Sequence, residues 1–313
     1  MSPTCSAITS RSWKLSSSFA PIPRAPSASP WWRMRPSLPR LGIIAGGGLL
    51  PEILVQRCHA AGRPVFVAAL KGQGDAGRFS GTEVETFRLG AVGGIIKRLK
   101  SLDITDIVLS GAVQRPRAAD LIPDLWSARF LARTKALGRG DDGLLTAILT
   151  ALEDQEGFRV LAPHDLAPDL LTPAGTLSVQ ALSREMARDL AAGIAGARAH
   201  GRRDAGQAVI AAGGRVVAWE GPQGTEAMIA AAGLEARGGI LVKAMKPGQE
   251  PRVDLPAVGP DTVDQAVAAG LHGISVEAGR SLTLDRDEMI RRADAAGLAV
   301  HGFTDGDRDG GAA

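Results

Sequence analysis

The densest polar stretch of the chain is KAMKPGQEPRVDLPAVGPDT, Lys243 to Thr262, and its residue types suit phosphate chemistry. An anion with two or more phosphates needs several cations and commonly a divalent metal held by carboxylate oxygen; Lys243, Lys246, Arg252 and Asp254 supply that combination within twelve positions. Pro251 and Pro256 bias the residues before them away from helix. Arg252, Val253 and Asp254 are therefore predicted extended, with Arg252 and Asp254 on one face. The pair stays open to two readings, a surface ion pair of little energetic consequence or a phosphate clamp beside a metal ligand. The two upstream lysines fit the second.

Smaller constellations surround this block. Gly46-Gly47-Gly48 falls between an apolar strand and a helix, where backbone amides and a helix N-terminus can approach a phosphate. The third glycine of a dinucleotide fingerprint would fall at Pro51, and no Lys-Ser/Thr follows, so neither that motif nor a P-loop is present. A tight turn that needs small residues explains the triplet equally. Gly140-Asp141-Asp142 reads as the acidic start of a helix, and Gly224-Thr225-Glu226 as an N-cap. Glu277-Ala278-Gly279-Arg280 sits between two predicted strands, where a hairpin turn explains the glycine and Glu277 is also a candidate metal or substrate ligand. The five histidines show no metal-ligand spacing, and no G-x-S-x-G elbow occurs.

Charge argues against nucleic acid as a partner. The net charge is +3, but residues 1–40 hold six basic residues and no acid, so residues 41–313 carry −3. That first stretch is rich in Ser, Pro and Arg without periodicity and is excluded from the predicted fold, as a disordered or mis-called extension for which Met34 is the expected start. Two cysteines, Cys5 and Cys58, are too few for a disulfide framework and point to a reducing cytoplasm. No uncharged apolar run reaches membrane-spanning length.

The elements that must position these residues alternate. Strands at 41–46, 64–70, 82–90, 106–111 and 158–163 are separated by helices near 50–61, 92–101, 118–137 and 142–156, which predicts a doubly wound parallel sheet, a Rossmann-like N-terminal domain over 41–163. Pro163, Pro168 and Pro173 mark 164–175 as a linker. Beyond it, a helix at 183–199, a hairpin turning at Gly213-Gly214, a helix at 225–232, strands at 240–245, 274–278 and 281–285, helices at 261–269 and 286–296 and a last strand at 298–303 predict a C-terminal mixed α/β domain, 176–305. The tail, 306–313, is expected to fray.

LGIIAGGGLLP, the GDD at 140–142, GQAVI at 206–210, GTEAMI at 224–229, the 243–262 block and GISVEAGRSLTLD, in this order and spacing, resemble the two-domain, non-calcineurin UDP-2,3-diacylglucosamine pyrophosphatases of lipid A biosynthesis. The resemblance covers about 41–303; Glu226 departs from it, since the family usually has Asp there. It implies a catalytic C-terminal domain that hydrolyses the pyrophosphate of a lipid-linked nucleotide sugar with Mg2+. Asp254 aligns with the family's essential aspartate, as metal ligand or orienter of water, and Arg252, Lys243 and Lys246 would neutralise phosphate charge. Gly46, Gly47, Gly48, Thr225, Glu277 and Arg280 are the expected substrate contacts. A homodimer, peripheral contact with the cytoplasmic face of the inner membrane, a hinge at the linker and an acyl groove walled by the 118–137 and 183–199 helices complete the expectation. A nucleotide-sugar-binding protein without turnover is the alternative.

Overall fold

The computed structural model describes residues 38–113, 122–134 and 140–309; the extension, the tail beyond 309 and the side chains of Gly140, Asp141 and Asp142 lie outside the described residues. Chain order in the first half is β1 (Leu41–Ala45), α1 (Leu50–Ala60), β2 (Val65–Leu70), β3 (Glu83–Phe87), α2 (Val92–Ser101), β4 (Asp106–Ser110), α3 (Leu125–Thr134), α4 (Gly140–Asp154) and β5 (Arg159–Leu161). All five strands are parallel, in the order β3-β2-β1-β4-β5. β2 is buried at every position, which is why VFVAAL is a continuous apolar run rather than an alternating one. Alternate residues of β1 and β2 divide between two cores: Leu41, Ile43, Val65 and Val67 pack with Leu54 and Val55 of α1, while Phe66 and Ala68 pack with Leu99 of α2 and Leu149 of α4. Pro51 in the first turn of α1 and Gly62, at φ +67° beyond its end, bound the helix as the sequence indicates.

The second half runs α5 (Pro163–Leu166), β6 (Gly175–Thr176), α6 (Arg184–Gly201), β7 (Ala208–Ala212), β8 (Arg215–Trp219), α7 (Gly224–Ala230), β9 (Ile240–Lys243), β10 (Ala257–Val258), α8 (Pro260–Ala268), β11 (Gly273–Glu277), β12 (Leu282–Thr283), α9 (Arg286–Ala296) and β13 (Ala299–Phe303). Its main sheet has the order β6-β13-β11-β9-β7-β8. The central β13, β11 and β9 are parallel, β6 pairs antiparallel with β13, and β7 pairs antiparallel with both β9 and β8, so the sheet is mixed. Gly213 and Gly214, at φ +61° and +74°, turn the β7–β8 hairpin with positive φ at both central residues, the type I′ geometry.

Three expectations are corrected. The 164–175 segment is not a loose linker: Ala167 and Leu170 lie in the first domain's core, Thr172 hydrogen-bonds Ser281 and Thr283 in the second half, and β6 pairs with β13. Its prolines fix turns, a helical turn at Pro163 and a 3-10 turn at Pro168–Leu170, instead of loosening the chain. Residues 277–280 are not a hairpin either, because β11 lies in the main sheet while β12 pairs in parallel with β10 in a separate ribbon. The apolar face of α6, finally, is core. Leu190 and Ile194 pack on Val209 and Val242, leaving no groove wall there.

One buried charge cluster fastens the first sheet. Asp106 at the start of β4 accepts hydrogen bonds from Arg63 at 2.6 Å and from Arg159 at 2.6 and 2.9 Å. Burial alone would push its carboxyl up, but the two guanidiniums outweigh that and hold it below the usual range. A folded-state pKa below the unfolded one contributes stability at neutral pH that is lost only as pH falls through the depressed value, below about 4 for an aspartate.

Candidate active site

Sheet register determines which functional residues meet. β7 runs antiparallel to β9 with Ala208 opposite Lys243, β8 runs antiparallel to β7 with Trp219 opposite Val209, and β11 runs parallel to β9 with Val276 opposite Lys243. The C-terminal ends of β8, β9 and β11 and the N-terminal end of β7 thus share one edge, which gathers Gln207, Glu220, Lys243 and Glu277. In open α/β sheets ligands bind in the crevice beyond the carboxyl ends of the strands.

Four of the polar side chains at this edge are buried: Glu220 is 8% exposed, Lys243 7%, Glu277 6% and Gln249 4%. Each has partners, as buried polar groups require. Glu220 accepts from the backbone N–H of Gln207 at 2.6 Å and of Ala208 at 3.1 Å, and from the Thr225 hydroxyl. Lys243 Nζ donates to the Ala257 carbonyl at 3.1 Å. Burial pushes its ammonium below the usual lysine range, against the opposing fields of Glu220 and Asp254, which favour the charged form. Glu277 accepts from the Met245 N–H at 3.0 Å and lies 3.4 Å from Arg198 and 3.8 Å from Arg280. Asp254, half-buried, accepts from the Gln249 amide at 2.5 Å.

The predicted site residues are therefore partly assembled here. Lys243 and Asp254 interact electrostatically, and Thr225 joins them through Glu220 rather than capping α7, whose N-cap position is Gln223. Lys246 reaches Asp204 at 2.8 Å. Arg252 does not share an extended face with Asp254. Residues 251–253 form a turn in which the Val253 and Asp254 amides donate to the Glu250 carbonyl, and the guanidinium binds Glu250 at 2.9 and 3.0 Å and Glu153 of α4 at 2.6 Å. The reason is that proline restricts the residue before it, here Glu250 and Leu255, and leaves 252–254 free to turn. Val253 and Leu255 pack on the two cores of the first domain, so this loop spans the junction between the halves. Arg280 is largely exposed beside Glu277.

The glycine triplet has a structural explanation for two of its members. The amides of Gly46 and Gly47 are committed to the carbonyls of Ser110 and Ala112, at 2.8 and 2.7 Å. A Cβ at Gly47 would stand 2.3 Å from the Gln73 carbonyl oxygen, which no side chain tolerates. The turn thus sits where the strand order reverses, between β1 and β4, but with its backbone closed on the neighbouring loop.

A cleft of about 500 Å3 lies elsewhere, lined by Glu226, Ile229, Leu234, Arg237 and Gln265 among others. It contains no titratable group with a resolved shift, and the perturbed lysine at the strand ends is the better marker of chemistry. Sequence reasoning missed Glu220, Gln249, Gln207 and Arg198. The signals available were an acid directly after the apolar hairpin strand and two glutamines inside otherwise motif-like stretches.

Two α/β halves, with a buried lysine and buried carboxylates at the carboxyl ends of the second sheet's strands, define a two-domain α/β protein. Residues 40–170 match the model of the LpxI N-terminal domain and residues 173–301 that of the LpxI C-terminal domain. The chain belongs to the LpxI family. It is 38% identical over 275 residues, 84% of its length and 97% of the relative's, to the UDP-2,3-diacylglucosamine pyrophosphatase LpxI of Caulobacter vibrioides. Among solved structures it is similar to the Bordetella bronchiseptica enzyme WbmG in complex with NAD (TM-score 0.27, 20% identity, covering 41% of this chain and 38% of that one). It is also similar to CobK precorrin-6A reductase (TM-score 0.31, 13% identity, covering 84% and 86%).

Proposed function

We propose that this chain hydrolyses the pyrophosphate of UDP-2,3-diacylglucosamine in lipid A biosynthesis. The observation that carries the reading is the alignment with the Caulobacter enzyme of that name across nearly its whole length, both domains included. Water attacks the α-phosphorus, a new P–O bond forms to the uridylyl side, and the bridging oxygen leaves with the β-phosphate. The products are UMP and 2,3-diacylglucosamine 1-phosphate.

The chemistry of the strand-end cluster fits that reaction. Negative charge gathers on phosphoryl oxygens in the transition state, and preorganised cations there are the main catalytic resource. Lys243 provides a fixed amine inside the site whose protonated form a bound phosphate would favour, Lys246 and Arg252 would add two cations by exchanging Asp204, Glu250 and Glu153 for phosphate, and Asp254 would orient water or hold metal. Among the described residues no group of three or more His, Cys, Asp or Glu could cage a metal. Mg2+ fits nonetheless, since it is commonly held by one or two carboxylates together with substrate phosphates, and Asp254 is the residue that would hold it here. When bound, it would neutralise phosphoryl charge as a Lewis acid. Glu277 with Arg280, Thr225 and, of the glycine turn, Gly48 are the proposed substrate contacts.

The substrate's two acyl chains imply peripheral contact with the cytoplasmic face of the inner membrane, and no helix among the described residues is long and apolar enough to cross one. A homodimer is part of the proposal through the family resemblance. Incubation with UDP-2,3-diacylglucosamine and Mg2+ is expected to release UMP, and EDTA to stop the release. Saturable binding with no UMP under any metal would replace the enzyme by a nucleotide-sugar-binding protein.

A further inference from the structure

We infer that Gln249 is the positioning residue for Asp254, aiming its carboxylate by a donated hydrogen bond; the inference rests on the functional reading of Asp254 above. Gln249 is almost fully buried, yet it comes from a turn between two prolines, a place where an amide side chain would ordinarily face water. Its side chain makes three polar contacts. Its Oε1 accepts the Lys246 N–H at 2.9 Å, and its Nε2 donates to Asp254 Oδ2 at 2.5 Å and approaches Gln207 Oε1 at 3.4 Å.

This set fixes which way the amide points. The Lys246 N–H needs an acceptor and the Asp254 carboxylate needs a donor, so only one orientation satisfies both. Gln207 stands behind it, and its own backbone N–H is held by Glu220. A chain of amides, Gln207 and Gln249, therefore links the buried Glu220 to Asp254. Asp254 itself follows the 251–253 turn and lies outside regular structure, so its carboxylate takes its direction from side-chain contacts such as the Gln249 amide. An amide that occupies one oxygen and leaves the carboxylate charged turns a loop aspartate into a preorganised group.

A structural role for Gln249 would act through the acceptor, by bracing the Lys246–Gln249 turn. A positioning role acts through the donor. Gln249→Glu separates them, because the carboxylate keeps the acceptor for the Lys246 N–H and replaces the donor with an oxygen that repels Asp254. Gln249→Glu, with unchanged near-UV circular dichroism, is expected to lower kcat about 10- to 100-fold, the usual cost of losing a residue that orients an active group, with KM within about threefold. Gln249→Leu, which removes both functions, is expected to lose at least as much kcat. Wild-type kcat in folded Gln249→Glu beside an inactive Asp254→Asn would overturn the inference and leave the functional reading standing. If Gln249→Glu does not fold, wild-type kcat in a folded Gln249→Leu overturns it in the same way. Full activity in Asp254→Asn would take down both.

Discussion

Asp254→Asn is expected to lower kcat by at least about 1,000-fold, because it removes the only charge of the group that holds metal or orients water while conserving its shape. Substrate affinity is expected to stay within about threefold, since a group that acts on the developing phosphoryl charge contributes to the transition state and little to the ground state. The fold is expected to be unaffected: Asp254 is half-buried just after a turn, and an asparagine oxygen can still accept the Gln249 amide. Steady-state kinetics with UMP release as the signal, beside binding of the unreacted substrate to the variant, measures both quantities. A variant that keeps a tenth of the wild-type kcat would remove Asp254 from the reaction.

Lys243→Met is expected to abolish turnover while leaving the thermal midpoint at or above that of the wild type. Burial pushes the Lys243 ammonium below its ordinary range even though Glu220 and Asp254 both favour the charge. The net environment therefore disfavours the protonated form. By linkage, a pKa depressed on folding means stability that is fully present only above the unfolded value and is forfeited as pH falls through the folded one, so at neutral pH the buried amine is held at a cost to the fold. Methionine fills a similar volume without that cost, at the loss of one hydrogen bond to the Ala257 carbonyl. Turnover should fall by about 100-fold or more, as when other preorganised charge-stabilising groups are deleted. Differential scanning calorimetry across pH together with kcat tests the pair of outcomes; loss of stability with retained activity would make Lys243 a structural cation.

Most of the architecture was legible because it follows from periodicity. Continuous apolar runs such as VFVAAL gave buried parallel strands, and the glycine pair at 213–214 gave the hairpin. The register of non-adjacent strands was not legible, since nothing local in LVKAM or GISVE says that these strands lie side by side. For the same reason Glu220 was invisible as a site residue, since it nears Lys243 only after β7, β8 and β9 have paired, whereas Gln249 lies five residues from Asp254 and an amide in a loop carries no chemical signal of its own. The 250–254 turn was misread for a different cause, the extension of a proline's influence to residues after it, and the 164–175 segment because its prolines look alike whether they loosen a chain or lock it. Lys243, Lys246 and Asp254 stood out by type and density alone. Their surroundings did not.

Water attack at the α-phosphorus is tested most directly by where solvent oxygen is found in the products. A single turnover in heavy-oxygen water, followed by mass spectrometry of both products, is expected to place the label in the phosphate of UMP and none in 2,3-diacylglucosamine 1-phosphate. Label in the sugar phosphate, with unlabelled UMP, would put the attack on the other phosphorus and contradict the proposed reaction.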